Sequence, residues 1–388
     1  MAIVPSLAEF TKLVRGRESS PQDLGLVADE LTKKYDGQRV PESVRMLITI
    51  ARGGMMGAND GWFGPAQSRF DWRSLAALHQ VPIDGAIPAE SFQGPVEWFA
   101  RLDRNGSGEI TAEDLDWSDR NTWVQHAYTV NRLLRRLDTT GDGRLTRDEW
   151  LAFFNTVANS RDEVTHEELR NAWLTGISSS FYPGDAPTQR QLIEGFLAGE
   201  LGSLHEGPQL NDPAPDFTLT TQDESQTIHL ADMIGPRPIV LVFGNFTCGP
   251  FRSMYSGVEE VSHRFQNEAT FLAVYVREAH PADGWKMESN TRLQVEVTQP
   301  RTFSERVDVA RKCHRLLNPT IPLLVDAIDD RVGNAYSGMP ARLYIIDQQG
   351  RIAYRGGRGP FGFKVGEMEQ SLVMTLMDDQ AGHMKTRA

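Results

Sequence analysis

Three stretches of this 388-residue chain carry side chains whose type and spacing could do chemistry. The first is IVLVFGNFTCGPFRSMY, residues 239–255, with Cys248 at its centre. A run of apolar, β-branched and aromatic residues reads as a buried strand, and the pattern after it reads as an amphipathic helix. The cysteine would sit where strand gives way to helix, with Pro250 in the first helical turn. Free N–H groups and the helix dipole favour a thiolate there, and the thiolate is the reactive form of a cysteine. A cysteine so placed can also be a plain core residue. The other two stretches carry oxygens. Residues 103–114, DRNGSGEITAED, place Asp103, Asn105 and Ser107 at alternate positions, the Glu109 carbonyl at the seventh and Asp114 at the twelfth. Residues 138–149, DTTGDGRLTRDE, repeat this with Asp138, Thr140, Asp142, the Arg144 carbonyl and Glu149. A hard cation needs six to eight oxygens at roughly 2.3–2.6 Å, and a glycine at the sixth position, here Gly108 and Gly143, permits the sharp turn. The second loop offers three ligand carboxylates and the first offers two. Calcium is therefore expected to bind the second more tightly, and the first to bind weakly or admit magnesium.

Apolar residues flank both loops in the same way, Phe99 and Leu102 before the first, Leu134 and Leu137 before the second. The two segments together resemble an EF-hand pair, expected over residues 91–160. Asn59-Asp60-Gly61 and the stretch 157–168 read as ordinary turns. Residues 1–205 as a whole read as helical. Ser20-Pro21 suits an N-cap followed by the first helical position, and Thr165 to Glu168 has the form of a capping box. The expected divisions are a helical region at 1–90, the EF-hand pair at 91–160, a helical extension at 161–201, a linker at 202–216 and a last domain at 212–380. In the last, short apolar strands at 239–243, 271–276, 323–325 and 343–346 alternate with helical patterns, which indicates an α/β layer fold. The chain is thus expected to be multidomain, with an all-α N-terminal half and an α/β C-terminal half.

Cys248-Gly249-Pro250-Phe251 resembles the thioredoxin Cys-Gly-Pro-Cys with Phe251 at the second cysteine. Met339-Pro340 resembles the thioredoxin-fold cis-proline, so a cis bond is expected there. The segments RPIVLVFGNFTCGPF, FLAVYVREAHPADGW and ARLYIIDQQGRIAYRGGRGPFGF look like the iodothyronine deiodinase family over roughly residues 212–375. The resemblance implies a thioredoxin-like fold, with Cys248 where that family usually carries selenocysteine. It puts Tyr275, Glu278 and His280 at proton-relay positions, and has His280 and Arg358 hold the two ends of a substrate. Asn245 and Phe246 stand where the family often has serine and cysteine. The implied activity is reductive dehalogenation of the thyroxine 5'-deiodinase type through Cys248, in a calcium-binding oxidoreductase. A peroxiredoxin-like thiol peroxidase is an alternative, although Asn245 lies where a Thr or Ser is wanted. A non-catalytic calcium-dependent interaction protein is another.

Composition narrows the partners. Net charge is −12, which counts against nucleic acid as the main ligand. No apolar run approaches 18 residues and the first twenty lack a signal-peptide pattern, so no membrane partner is expected. Two cysteines, Cys248 and Cys313, suit a reducing, cytoplasmic setting. The expected partners are a thiol reductant and a halogenated aromatic small molecule.

Overall fold

The computed structural model describes residues 4–18, 20–54, 65–174 and 184–380. The turn expected at Asn59-Asp60-Gly61 lies outside the described residues. The chain opens with three helices, α1 (Leu7–Val14), α2 (Pro21–Lys34) and α3 (Glu42–Ala51). Ser20 caps α2 through its side chain, with Pro21 at the first helical position. Next come β1 (Gln67–Ser68), α4 (Trp72–Leu78), β2 (Ile87–Pro88), α5 (Val96–Leu102), β3 (Glu109–Ile110), α6 (Thr122–Leu137), α7 (Arg147–Ala158), α8 (His166–Leu174) and α9 (Gln189–Leu197). Phe10, Leu24, Leu47, Ile193 and Phe196 build a small core for α1, α2, α3 and α9, which Trp285 and Met287 of the C-terminal half join.

The N-terminal half is mostly helical, but its three short strands settle where the loops go. The first calcium-type loop lies between α5 and the residues after β3, and β3 pairs with β2, Ile87 opposite Ile110. Ile87 stands two residues after Gly85, as Ile110 stands two after Gly108, so the paired segments share one glycine-to-isoleucine spacing. The second loop, between α6 and α7, forms no strand with the first. β1 adds to the edge of the C-terminal sheet, Gln67 opposite Arg355.

The C-terminal half contains β4 (Thr218–Thr221), β5 (Thr227–His229), β6 (Ile239–Gly244), α10 (Gly249–Arg264), β7 (Thr270–Tyr275), α11 (Glu288–Arg292), α12 (Phe303–Leu317), β8 (Leu323–Val325), α13 (Arg331–Tyr336), β9 (Arg342–Ile346), β10 (Ile352–Arg355) and α14 (Val365–Gln380). One sheet runs in the order β1-β10-β9-β6-β7-β8-β4-β5. β6, β7 and β8 are parallel, and β9 returns antiparallel beside β6. Every residue of β6 is buried, as a near-continuous apolar strand requires. This parallel core with an antiparallel flank, helices packed on it and a thiol after the first central strand, is a thioredoxin-like arrangement. The 202–216 stretch has no regular element but is tied down. Asn211 donates to the Ile352 carbonyl and Ala214 to that of Gly350, both at 2.9 Å.

Candidate active site

Cys248 is the N-cap of α10, directly after the β6 turn. Asn245 organises that turn. Its Oδ1 accepts from the Cys248 N–H at 3.0 Å and the Ala279 N–H at 3.2 Å, while its Nδ2 donates to the Pro340 carbonyl at 3.0 Å. The Met339–Pro340 bond is cis, as the sequence leads one to expect. One amide side chain thus ties the thiol turn, the segment after β7 and the proline turn together. Each backbone N–H would otherwise be a buried donor without a partner.

Behind the thiol lies a buried polar cluster. Tyr275, the last residue of β7, donates its hydroxyl to Glu278 and accepts from the Phe246 N–H at 3.2 Å. Glu278 also accepts from the Thr247 N–H at 2.9 Å and the Thr247 hydroxyl at 2.7 Å. Burial pushes the Glu278 carboxyl above the usual carboxylate range, against the pull of the Tyr275 and Thr247 donors. It can therefore hold a proton more readily than a surface glutamate.

His280 joins this cluster through its backbone, whose N–H donates to the Thr247 hydroxyl at 3.0 Å. Its ring turns the other way. Nδ1 lies 3.1 Å from the Trp285 carbonyl, and the indole of Trp285 stands edge-on at 4.6 Å. Since a carbonyl only accepts, Nδ1 carries the hydrogen and Nε2 the lone pair. Burial pushes the imidazole down to about 4, so it stays neutral at physiological pH.

Cys248 and His280 both line one cavity of about 1260 Å³, walled by α6, α10, the 279–287 segment and the 359–367 turn. The thiol is only 2% exposed. The helix end was expected to lower its pKa, yet the net direction is upward. Burial outweighs the Phe251 N–H and the positive charges of Arg252 and Arg135. Arg252 lies one helical turn beyond the thiol and is buried. It donates to the Phe246 carbonyl, to Asn290 at 2.9 Å and to the Gly141 carbonyl of the second calcium-type loop at 3.3 Å. Cys313 is buried on α12 and is not among the residues lining the cavity.

Arg358 departs from its expected role at the cavity. Its guanidinium is buried against Glu42 at 3.3 Å and Ser337 at 2.7 Å, and it does not line the cavity. Glu42, at the start of α3, also holds Arg342 and Arg355, each at 2.8 Å. Burial alone would raise that carboxyl, but three guanidinium groups hold it well below the usual carboxylate range. The cluster shows why an arginine in a glycine-rich turn can be spent on stability.

Both calcium-type loops turn their carboxylates inward. Asp103 accepts from the Ser107 and Gly108 N–H groups at 3.0 and 2.9 Å, and Asp114 from those of Arg104 and Thr111 at 3.0 and 2.9 Å. Asp138 accepts from Gly141 and Gly143 at 2.5 and 2.8 Å. Glu149 bridges the Thr139 and Thr146 N–H groups at 2.8 and 2.9 Å, which hold it down to about 2 despite partial burial. Asn105, Ser107, Glu109, Thr140, Asp142 and Arg144 lie on the same two turns. The all-oxygen donor set suits a hard cation. Among the described residues no three acidic, histidine or cysteine side chains already converge as a metal cage.

The residues missed by sequence reading share a cause. Asn245, Arg252 and Asn290 matter through where the fold brings them. Only Arg252 carried a local signal, its i+4 spacing from Cys248 on α10.

The iodothyronine deiodinase family model matches residues 190–375, and an EF-hand model matches residues 96–116 and 130–154. A thyroxine 5-deiodinase of Ovis aries is 37% identical over 165 residues, 42% of this chain and 53% of that protein. The chain thus spans about half the length of the mammalian thyroxine 5-deiodinases it matches. A thyroxine 5-deiodinase of Gallus gallus is 31% identical over 213 residues, covering 55% of this chain and 71% of its own. A thioredoxin-family thiol:disulfide interchange protein of Chlorobium tepidum aligns at 15% identity with TM-score 0.30, over 44% of this chain and 99% of its own. Among the described residues no helix is long and apolar enough to cross a membrane. With its thiol turn, its 278–285 segment and strands β4 to β10 all inside the matched region, and with two EF-hand segments ahead of them, this chain belongs to the iodothyronine deiodinase family.

Proposed function

We propose that the protein is a thiol-dependent reductive dehalogenase of iodinated or otherwise halogenated aromatic compounds. The observation that carries this reading is one cavity shared by the Cys248 thiol and a neutral His280, backed by Glu278, whose carboxyl burial pushes above the usual carboxylate range. In the first step the Cys248 sulfur forms a bond to the halogen and the aryl carbon–halogen bond breaks. The ring carbon takes the departing electron pair and a proton, giving the dehalogenated ring and a sulfenyl halide on Cys248. An external thiol then attacks that sulfur and expels halide. A second thiol frees Cys248 as the thiol and leaves with the first as a disulfide. Cys313 has no part in this, because it is buried away from the cavity. The proton moved from the thiol has two acceptors at hand. The neutral His280, whose Nε2 carries the lone pair, serves as base from the shared cavity, and Glu278, joined to the thiol turn through Thr247, exchanges protons behind it.

Calcium is the metal we assign to the EF-hand segments, with Asp138, Thr140, Asp142, the Arg144 carbonyl and Glu149 holding it in the second loop. Asp103, Asn105, Ser107, the Glu109 carbonyl and Asp114 would hold it in the first. When bound it supplies rigidity to a loop packed on α10. The reductant is a dithiol or a small thiol, and the working compartment a reducing one such as the cytoplasm.

Iodide release from an iodothyronine or a halotyrosine in the presence of a dithiol tests the activity, and Cys248→Ser should abolish it. Wild-type protein that releases no halide from either class overturns the reading. Peroxide consumption under the same conditions would favour the peroxidase alternative instead.

A further inference from the structure

The largest fully buried side chains of the protein are four arginines, Arg252, Arg306, Arg342 and Arg358. Three of them hold a carboxylate. Arg306 pairs with Asp330 at 2.8 Å, and Arg342 and Arg358 pair with Glu42 at 2.8 and 3.3 Å. Arg252 is the exception, with no carboxylate at ion-pair distance among the described residues. Its guanidinium donates to the Phe246 carbonyl, to the Gly141 carbonyl at 3.3 Å and to the Asn290 side-chain oxygen at 2.9 Å. Asn290 in turn donates to the Thr247 carbonyl at 2.8 Å. Arg252 therefore grips both residues before Cys248, one directly and one through Asn290. Its backbone N–H donates to the Cys248 carbonyl at 3.1 Å, one helical turn back.

A guanidinium taken out of water loses solvation that neutral acceptors only partly return, and an anion returns more. Four titratable groups bear on it. Asp138 of the second calcium-type loop lies beyond ion-pair distance and is held by the Gly141 and Gly143 N–H groups. Cys313 on α12 is kept a thiol by burial. Arg135 on α6 is a like charge. Cys248 is the fourth, and its ionised sulfur would balance the buried cation. Besides Arg252, the sulfur faces the charge of Arg135 from α6, Glu278 from behind β7 and the neutral His280 across the cavity.

We propose that Arg252 is the positioning residue of the reaction and the resident counter-cation of the Cys248 thiolate, holding the thiol turn in place while the sulfur ionises. The inference rests on the reading of Cys248 as the reactive thiol and adds to it the charge that lets a buried sulfur become an anion. It also gives a reason for the one fully buried arginine with neutral acceptors alone. The opposing pulls agree in direction. Burial draws the Arg252 guanidinium downward in pKa and an ionised Cys248 draws it back up, while the Arg252 charge draws the thiol down.

The test needs no halogenated substrate. Full-length protein is alkylated with iodoacetamide across a range of pH, and labelling of Cys248 is followed on its own peptide to give the midpoint of its ionisation. Arg252→Gln should move that midpoint up and slow labelling at neutral pH about tenfold, with the rates converging on wild type at alkaline pH. Arg264→Gln, a cation further along α10, should leave the midpoint in place, and Arg135→Gln should move it less than Arg252→Gln does. An unmoved midpoint in Arg252→Gln overturns the inference. So does a rate changed by one factor at every pH, which a purely structural arginine would give. An equal or larger rise in Arg135→Gln overturns it too, as does a Cys248 that the reagent labels at no pH. Where Arg252→Gln does not fold, wild-type protein decides. The nitrogen resonance of the Arg252 Nε–H, identified by its absence in Arg252→Lys, should shift through the Cys248 midpoint and stay fixed in Cys248→Ser. A resonance that does not follow Cys248 in wild type overturns the inference. Absence of halide release would count against the dehalogenase reading alone, because the midpoint is read without turnover.

Discussion

The N-terminal half meets the C-terminal half in two ways that contrast in chemistry. At one contact, α3 pushes Glu42 into a sealed cluster of Arg342, Arg355 and Arg358. At the other, α6 and the second EF-hand loop lie over α10 through hydrogen bonds that end on uncharged acceptors. These are Arg252 to the Gly141 carbonyl, Ser253 to Asn131, and Ser256 to the Gly143 carbonyl at 2.7 Å. The first has a buried carboxylate matched by excess positive charge and no opening. The second borders the cavity that holds the thiol. The difference separates what holds the halves together from what can respond to a ligand. Breaking a buried ion cluster strands charges and costs several kcal/mol, whereas hydrogen bonds to uncharged acceptors can shift at about 1–2 kcal/mol each.

That contrast can be broken most severely at Glu42. Glu42→Ala should cost about 3–5 kcal/mol of stability, read as a fall in the urea midpoint, because three arginines lose their counter-charge. Its acid dependence follows from the lowered carboxyl. The stabilisation is complete above the unfolded-state value near 4.3 and is lost as pH falls below it. Glu42→Gln should therefore show a shallower loss of stability below about pH 4.3 than wild type. An unchanged midpoint in Glu42→Ala would mean the cluster is not the staple described.

Gly143→Ala strikes the other contact. Gly143 has φ +79°, and a Cβ there would meet the Arg252 carbonyl at 2.3 Å. The expected cost is about 1–3 kcal/mol, with faster Cys248 alkylation as the wall loosens. A loss of stability with no change at Cys248 would show that the loop and the thiol are independent. Titration calorimetry sharpens the contrast between the two loops themselves. Glu149→Gln should weaken the tighter calcium site about tenfold, while Asp114→Asn should affect only the weaker one. Equal losses would contradict the ranking by carboxylate count. The smallest effect is that of calcium on the thiol. Chelation should raise the Cys248 alkylation rate about twofold, a shift of about 0.4 kcal/mol, well within what one neutral hydrogen bond can carry. Identical rates with and without the metal would leave the second contact purely structural.

Much of this was legible from residues close in sequence. The buried strand before Cys248, the helix after it and the two oxygen-rich loops are local patterns, and local patterns fix local structure. The contributions of Tyr275 and Glu278 were approached through resemblance, and the structure brings both onto the thiol turn. What sequence could not reveal depends on tertiary partnership. Arg358 carries the same local setting whether it faces a ligand or Glu42, and Glu42 lies 316 positions away. The strand partner of the first loop was equally hidden, because Ile87 lies in a two-residue strand with no ligand pattern beside it. The thiol went the other way from its helix-end expectation because burial is a property of the whole packed site.

Gly143 serves two ends at once. Its left-handed backbone lets the oxygen-rich turn close, and its missing side chain lets that turn rest on the helix bearing the sulfur. A chain shortened to its C-terminal half would therefore lose more than two oxygen-rich loops. It would leave Arg252 with one carbonyl fewer and open one side of the chamber to water.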